Sequence, residues 1–216
     1  MSTHIAGITT CVGELYASYL AQVIDAWADS LDFLTVVTDY DSMGSMPIIN
    51  PRLAPKLCVY ATSAFTRHGA YFNKGAALNV GRRWSAPKDW VLCFDCDIQP
   101  PVSWREFTEP CLKPGQLFGC RRRGVKKFEP FGYFQLWHAS DDKGPYSEQY
   151  AHAGRYDVEY MERWPKQRWT ELPFQVKHLG TPCKHWHGPG NEHLTRDLLR
   201  DGIAAYKRRD EKLAPF

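Results

Sequence analysis

Two short apolar runs each end on an aspartate: Phe33-Leu34-Thr35-Val36-Val37-Thr38 runs into Asp39, and Trp90-Val91-Leu92-Cys93-Phe94 runs into Asp95. Largely apolar runs of this length, without polar alternation, read as strands buried on both faces, and such strands need helices on both sides of a mainly parallel sheet. The text around them fits. Residues 4–10 and 56–62 read as further strands, residues 14–29 place Tyr16, Leu20, Val23 and Trp27 at helical spacing, and residues 73–83 read as a second helix. Residues 40–55 carry Gly44, Pro47, Pro51 and Pro55 and read as a loop. Alternating strands and helices predict an α/β fold, and ligands of such sheets gather beyond the carboxyl ends of the strands, where Asp39 and Asp95 stand.

Beyond residue 98 the text is broken by Pro100, Pro101, Pro110, Pro114, Pro130, Pro145 and Pro165; residues 156–164 read as a helix and 174–179 as a late strand. No repeat or low-complexity linker divides the 216 residues, so one domain is expected, with residues 1–98 as a ligand-binding half and 99–216 as a second functional region. No stretch approaches the roughly 18 to 20 apolar residues that cross a bilayer, and no leader precedes the first strand, which predicts a cytoplasmic protein that does not use a membrane. The seven cysteines are scattered and odd in number, unlike a secreted disulfide framework. Cys93 and Cys96 form a CxxC, but Asp95 and Asp97 interleave with them, so the segment reads as a strand end and not as a zinc or redox knuckle.

The sharpest chemical signal is Phe94-Asp95-Cys96-Asp97-Ile98, in which two carboxylates at the mouth of a buried strand can offer oxygen ligands to a hard divalent cation. An ordinary acidic turn has the same text, so context must decide. Upstream lies Phe72-Asn73-Lys74-Gly75-Ala76-Ala77-Leu78-Asn79-Val80-Gly81. The stretch from Phe72 to Asp97 resembles the nucleotide-sugar glycosyltransferases of the GT-A fold, above all the β-1,4-galactosyltransferase-like branch, where Phe-Asn-Arg and Leu-Asn-Val-Gly precede a strand ending in Asp-x-Asp. Lys74 stands in place of the arginine, keeping the charge but not the planar fork. Further on, Gly154-Arg155-Tyr156-Asp157 is similar to the Gly-Gly-Glu-Asp segment of that branch, with Tyr156 in place of the glutamate.

The resemblance implies a single GT-A-like, Rossmann-like α/β domain, a UDP-sugar or similar nucleotide-sugar donor, and Mn²⁺ or Mg²⁺ held by Asp95 and Asp97 with a C-terminal histidine. His187 is the first expectation for that histidine and His185 the second, since both flank Trp186 and would point to one side of an extended segment; His178 reads as a buried strand residue with satisfied ring nitrogens. A separate zinc site of Cys183, His185, His187 and His193 has compatible spacing. Asp157 is the implied general base on the acceptor hydroxyl, in an inverting displacement, and the same residue type also suits the first turn of a helix. Donor contacts are implied for Thr9, Thr10, Asp39, Arg67, Asn73, Lys74 and Asp95.

For the acceptor, Arg121-Arg122-Arg123-Gly124-Val125-Lys126-Lys127 forms a basic strip flanked by Phe118, Phe128, Phe131, Tyr133 and Phe134. With Tyr156 it defines an acceptor side. Charge for phosphates and rings for an extruded base suggest double-stranded DNA bearing hydroxymethylated pyrimidines, as in viral enzymes working in a host cytoplasm; a saccharide acceptor is the alternative. From other classes, a metal-dependent nucleotide-sugar hydrolase and a noncatalytic metal-stabilised binding module share the same carboxylates.

Overall fold

A computed structural model describes residues 3–46, 54–70, 72–85, 87, 89–126, 128, 130, 132–150 and 155–180. Its parallel half is the one the apolar runs require. Strands β1 (Ile5–Thr10), β2 (Phe33–Thr38), β3 (Leu57–Ala61) and β4 (Trp90–Asp95) lie in the order β3-β2-β1-β4, all parallel. Helix α1 (Glu14–Ala28) covers one face and α2 (Lys74–Ser85) the other. α1 docks through Leu20, Val23 and Trp27, all at most 1% exposed. The Trp27 ring stacks on Phe94 with centroids 4.1 Å apart, and its Nε1 donates to the Ile98 carbonyl at 2.8 Å. α2 is capped by Asn73, whose Oδ1 accepts the Ala76 N–H at 2.9 Å. Gly81 lets this helix lie on the sheet, because a Cβ there would fall 2.7 Å from Ile8 Cγ2 and 2.8 Å from Val37 Cγ2.

The second half continues the same sheet with mixed direction. β4 pairs antiparallel with β7 (Phe134–His138), which pairs antiparallel with β6 (Leu117–Arg122); β6 runs parallel to β8 (Trp169–His178), and β8 pairs antiparallel with the two-residue β5 (Ile98–Gln99). The complete order among the described residues is β3-β2-β1-β4-β7-β6-β8-β5. The short α3 (Trp104–Thr108) adds Trp104 to the Trp27 cluster at 5.3 Å, and α4 (Tyr156–Glu162) packs Tyr156 and Tyr160 against Tyr146 and Trp137 on the opposite face. Cys93 and Cys96 belong to the cores on different faces of β4, so they do not form a paired clamp. Among the described residues no helix is long and apolar enough to cross a membrane.

Candidate active site

The carboxyl end of β4 is where the chain gathers its charge. Asp95, the last residue of the strand, forms an ion pair through Oδ1 with Lys74 Nζ from the first turn of α2. Lys74 is 9% exposed. Burial alone would pull its pKa down, but the Asp95 carboxylate outweighs that and holds the ammonium well above the usual lysine value. The same Nζ lies 5.7 Å from the centre of the Tyr156 ring, so α2, β4 and α4 meet over this ion pair.

Two residues on, Asp97 is buried, and its Oδ2 lies 3.2 Å from His178 Nε2 at the end of β8. Antiparallel pairing of Ile98 with His178, together with the 2.8 Å bond from Leu179 N to the Asp97 carbonyl, brings the two together. His178 Nδ1 is 2.7 Å from the Gly180 carbonyl oxygen. A carbonyl can only accept, so Nδ1 carries the proton and Nε2 is the atom presented to Asp97. Desolvation, and then the neighbouring Asp95 charge, push the Asp97 carboxyl up, against His178 and Lys74, which pull it down. Tyr16, at the start of α1, packs against the core near enough to Asp97, Lys74 and Asp95 to feel their charges; burial first, and then Asp97, raises its phenol far above the ordinary value. Among the described residues no three His, Cys, Asp or Glu side chains stand close enough to form a complete metal cage.

Asp157 sits in the first turn of α4. Its Oδ2 accepts the Gly132 N–H at 2.9 Å, and a Cβ on Gly132 would fall 2.5 Å from Asp157 Cβ, so only glycine permits this approach. Desolvation raises the carboxyl pKa above the usual 3.8, against the Gly132 N–H and with the help of the Asp95 charge. Its electrostatic neighbours Asp95 and Lys74 tie it to the same cluster as the β4 carboxylates. A carboxylate with a raised pKa beside an ion pair is suited to taking a proton.

The remaining residues singled out in the sequence divide. Thr10 ends β1 in register with Asp95 and is buried there. Thr9 is spent inside the sheet, its hydroxyl donating to the Phe94 carbonyl at 2.8 Å. Asn73 is likewise committed: Oδ1 caps α2, and Nδ2 donates to the Glu148 carbonyl at 2.6 Å. Asp39 closes a turn by accepting Ser42 N–H at 2.8 Å, and Ser42 Oγ in turn accepts Gly13 N–H at 2.8 Å, which ties the β2 end to the start of α1. Arg67 pairs with Glu148 at 2.6 Å.

In the basic strip, Arg121 forms an ion pair with Glu171 across β6 and β8, and Arg122 lies 4.8 Å over the Tyr133 ring; Arg123 and Lys126 are exposed, and Lys127 lies outside the described residues. Phe118, Tyr133 and Phe134 are buried core rings and are not free to stack on a base; Phe128 is half-buried, and Phe131 lies outside the described residues. Tyr156 is buried beneath Lys74 and is no exposed acceptor contact. His185, His187, Cys183 and His193 lie outside the described residues. His178, Tyr16 and Gly132 were not legible as site residues; their only sequence signal is proximity to element ends.

No family model and no curated protein sequence matches the chain. Among solved structures it is similar to glucosyl-3-phosphoglycerate synthase of Mycobacterium tuberculosis, with 16% identity and a TM-score of 0.52 over 96% of this chain and 77% of that one. The same enzyme in complex with phosphoglyceric acid gives 0.51 at 16% identity over 84% and 74%, and a further mycobacterial protein 0.53 at 15% identity over 84% and 69%. At such identities the likeness speaks for architecture alone, and the architecture is a GT-A-like, Rossmann-type α/β fold.

Proposed function

We propose that this chain is a glycosyltransferase that moves a sugar from a nucleoside diphosphate donor, a UDP-sugar for preference, to a hydroxyl acceptor in an inverting displacement. The observation that carries the reading is the convergence at one sheet end of the Asp95–Lys74 ion pair, the Asp97–His178 pair and the raised-pKa Asp157. The GT-A-like architecture and the resemblance of residues 72–97 to the galactosyltransferase-like branch support it. Residues 1–98 then form the donor side, with Thr10 and Asp39 at its rim, and later residues bring the base and complete the metal shell.

Asp97 and His178 supply a carboxylate and an imidazole, donor types that suit Mn²⁺ or Mg²⁺, and the rest of the shell would come from the donor diphosphate and water. An imidazole Nε2 facing a carboxylate oxygen at 3.2 Å calls for a proton or a cation between them, and an imidazole whose other nitrogen donates to a carbonyl is the usual form of a metal ligand. Asp97 and His178 would hold the ion, with Asp95 beside them, so His178 takes the role expected of His187 or His185. A carboxylate and imidazole set suits these hard metals better than thiolate-seeking ones. When bound, the metal would neutralise the charge that develops on the leaving diphosphate. Lys74 contributes a fixed positive charge to the same pocket. Asp157 takes the acceptor proton, a step typically worth about 10² to 10⁴ in rate. The acceptor is proposed only as a hydroxyl compound, since Arg121 and Arg122 are already engaged.

The test is a thermal-shift panel of nucleotide sugars with Mn²⁺, with Mg²⁺ and with chelator, followed by product analysis. A metal-dependent shift for one donor, with sugar transfer abolished in Asp157→Asn while donor binding survives, is the expected result. Release of free sugar without an acceptor, undiminished in Asp157→Asn, would favour a hydrolase. A panel with no shift at all would favour a binding module.

A further inference from the structure

We propose that Gln135 is a positioning residue for Asp157, setting the carboxylate by clamping the two backbone segments that hold it; the proposal rests on Asp157 being the general base. Gln135 lies in β7, between β4 and β6, and is fully buried. An amide at the centre of a sheet is costly unless every polar atom is partnered, so its retention asks for a purpose. Its Nε2 donates to the Pro130 carbonyl at 2.8 Å and to the Asp157 carbonyl at 3.1 Å. Both partners can only accept, which fixes the amide orientation and leaves Oε1 to accept the Tyr146 hydroxyl at 2.9 Å. Tyr146 is itself locked by Asn79 of α2, which donates to its carbonyl and accepts its N–H, each at 2.8 Å.

The chain of bonds therefore runs from α2 through the 144–150 loop to one amide, and from that amide to both walls of the base. One wall is the 130–132 loop, whose Gly132 N–H binds Asp157 Oδ2 at 2.9 Å; the other is the start of α4, which carries Asp157. The separation of these walls decides whether the Gly132 N–H reaches the carboxylate. A general base must sit within a few tenths of an ångström of its productive position. Gln135 touches no group that reacts, and it acts through this spacing alone.

The experiment uses the full chain and the variants Gln135→Leu and Tyr146→Phe. Asp157 is titrated by carboxyl ¹³C NMR, with Asp157→Asn identifying its resonance. The groups facing that carboxylate are the Gly132 and Val158 N–H groups, Asp95, Lys74 and Tyr156. Loss of the clamp weakens the Gly132 bond to the charged form, so the titration of Asp157 moves to higher pH by about one unit in Gln135→Leu and by less in Tyr146→Phe. In transfer assays kcat falls about 10-fold to 100-fold with donor KM unchanged. An Asp157 titration identical to wild type in both variants overturns the proposal. Should Gln135→Leu fail to fold, Tyr146→Phe alone decides. Absence of transfer by the wild type refutes the transferase reading, and the titration still decides the role of Gln135.

Discussion

Replacing Gly132 by alanine tests the site at its tightest point. The new methyl carbon would lie 2.5 Å from Asp157 Cβ, 2.8 Å from Oδ2 and 2.9 Å from Cγ. Carbon atoms in ordinary contact stand about 3.5 to 4.0 Å apart, so the 130–132 loop and the start of α4 must separate by about 1 Å. The nearest clash is with Asp157 Cβ, which no side-chain rotation moves, so one wall must shift against the Gln135 ties to β7 and carry the carboxylate with it. Overpacking of this kind costs about 1 to 3 kcal/mol, which lowers Tm by about 2 to 4 °C for each kcal/mol in a chain of this size. The catalytic effect should be of similar size in free energy, about 2.7 kcal/mol, because a 1 Å misplacement of a reacting group costs about 10²-fold in rate. The assay is steady-state kcat at saturating donor beside a melting curve for the same preparation. Gly132→Ala with unchanged kcat and a lowered Tm would show that the carboxylate position does not matter to turnover, and the reasoning about Asp157 would fall with it.

Further outcomes follow from the charges. Burial raises the Asp157 pKa, so the native state holds its proton to higher pH than the unfolded chain does, and stability falls as pH rises from the ordinary 3.8 through the native value. Asp157→Asn should therefore lose turnover, melt like wild type in acid, and melt at or above wild type at neutral pH; a lower Tm at neutral pH would contradict the burial argument. His178→Ala should weaken Mn²⁺ binding about 10-fold or more, read by isothermal titration of the metal alone, and an unchanged affinity would return the role to His187 or His185. Lys74→Met should destabilise by about 3 kcal/mol by stranding Asp95, and Asp95→Asn in that background should recover part of the loss; failure of the second change to help would mean the pair is not coupled.

The parallel half of the fold was legible because its strands are buried on both faces and must be written as apolar runs. The antiparallel half hides its strands behind local exceptions. β7 contains Gln135, which breaks an apolar run yet is satisfied by partners far along the chain. β8 contains Pro173, so the sequence suggests a strand starting only at residue 174. The register moves from Gly119–Glu171 to Arg121–Gln175, and Pro173 falls in that irregularity, where a missing N–H costs no ladder bond. His178 reads as strand text and does lie in β8, but its neighbour Asp97 comes from the turn before a two-residue strand that no periodicity could announce, so their pairing is invisible in the sequence. Tyr16 fits the helical stripe of α1, yet its first turn lies near the Asp95, Asp97 and Lys74 charges, so the same spacing that marks the core marks a residue beside the charged cluster there.

The pairing of β5 with β8 also bears on when the site comes into being during synthesis. It joins Ile98 to His178 across about 80 residues, a closure whose entropic cost grows only slowly with length but which must await the far partner. The parallel strands β1 to β4 can form once residue 95 has emerged, and they would already present Asp95 and Lys74. Asp97 gains its imidazole neighbour only when β8 has docked. A nascent chain arrested before residue 169 would thus own a nearly finished sheet and an unfinished site, and the Asp97–His178 pair would arrive late, as a single event when β8 docks.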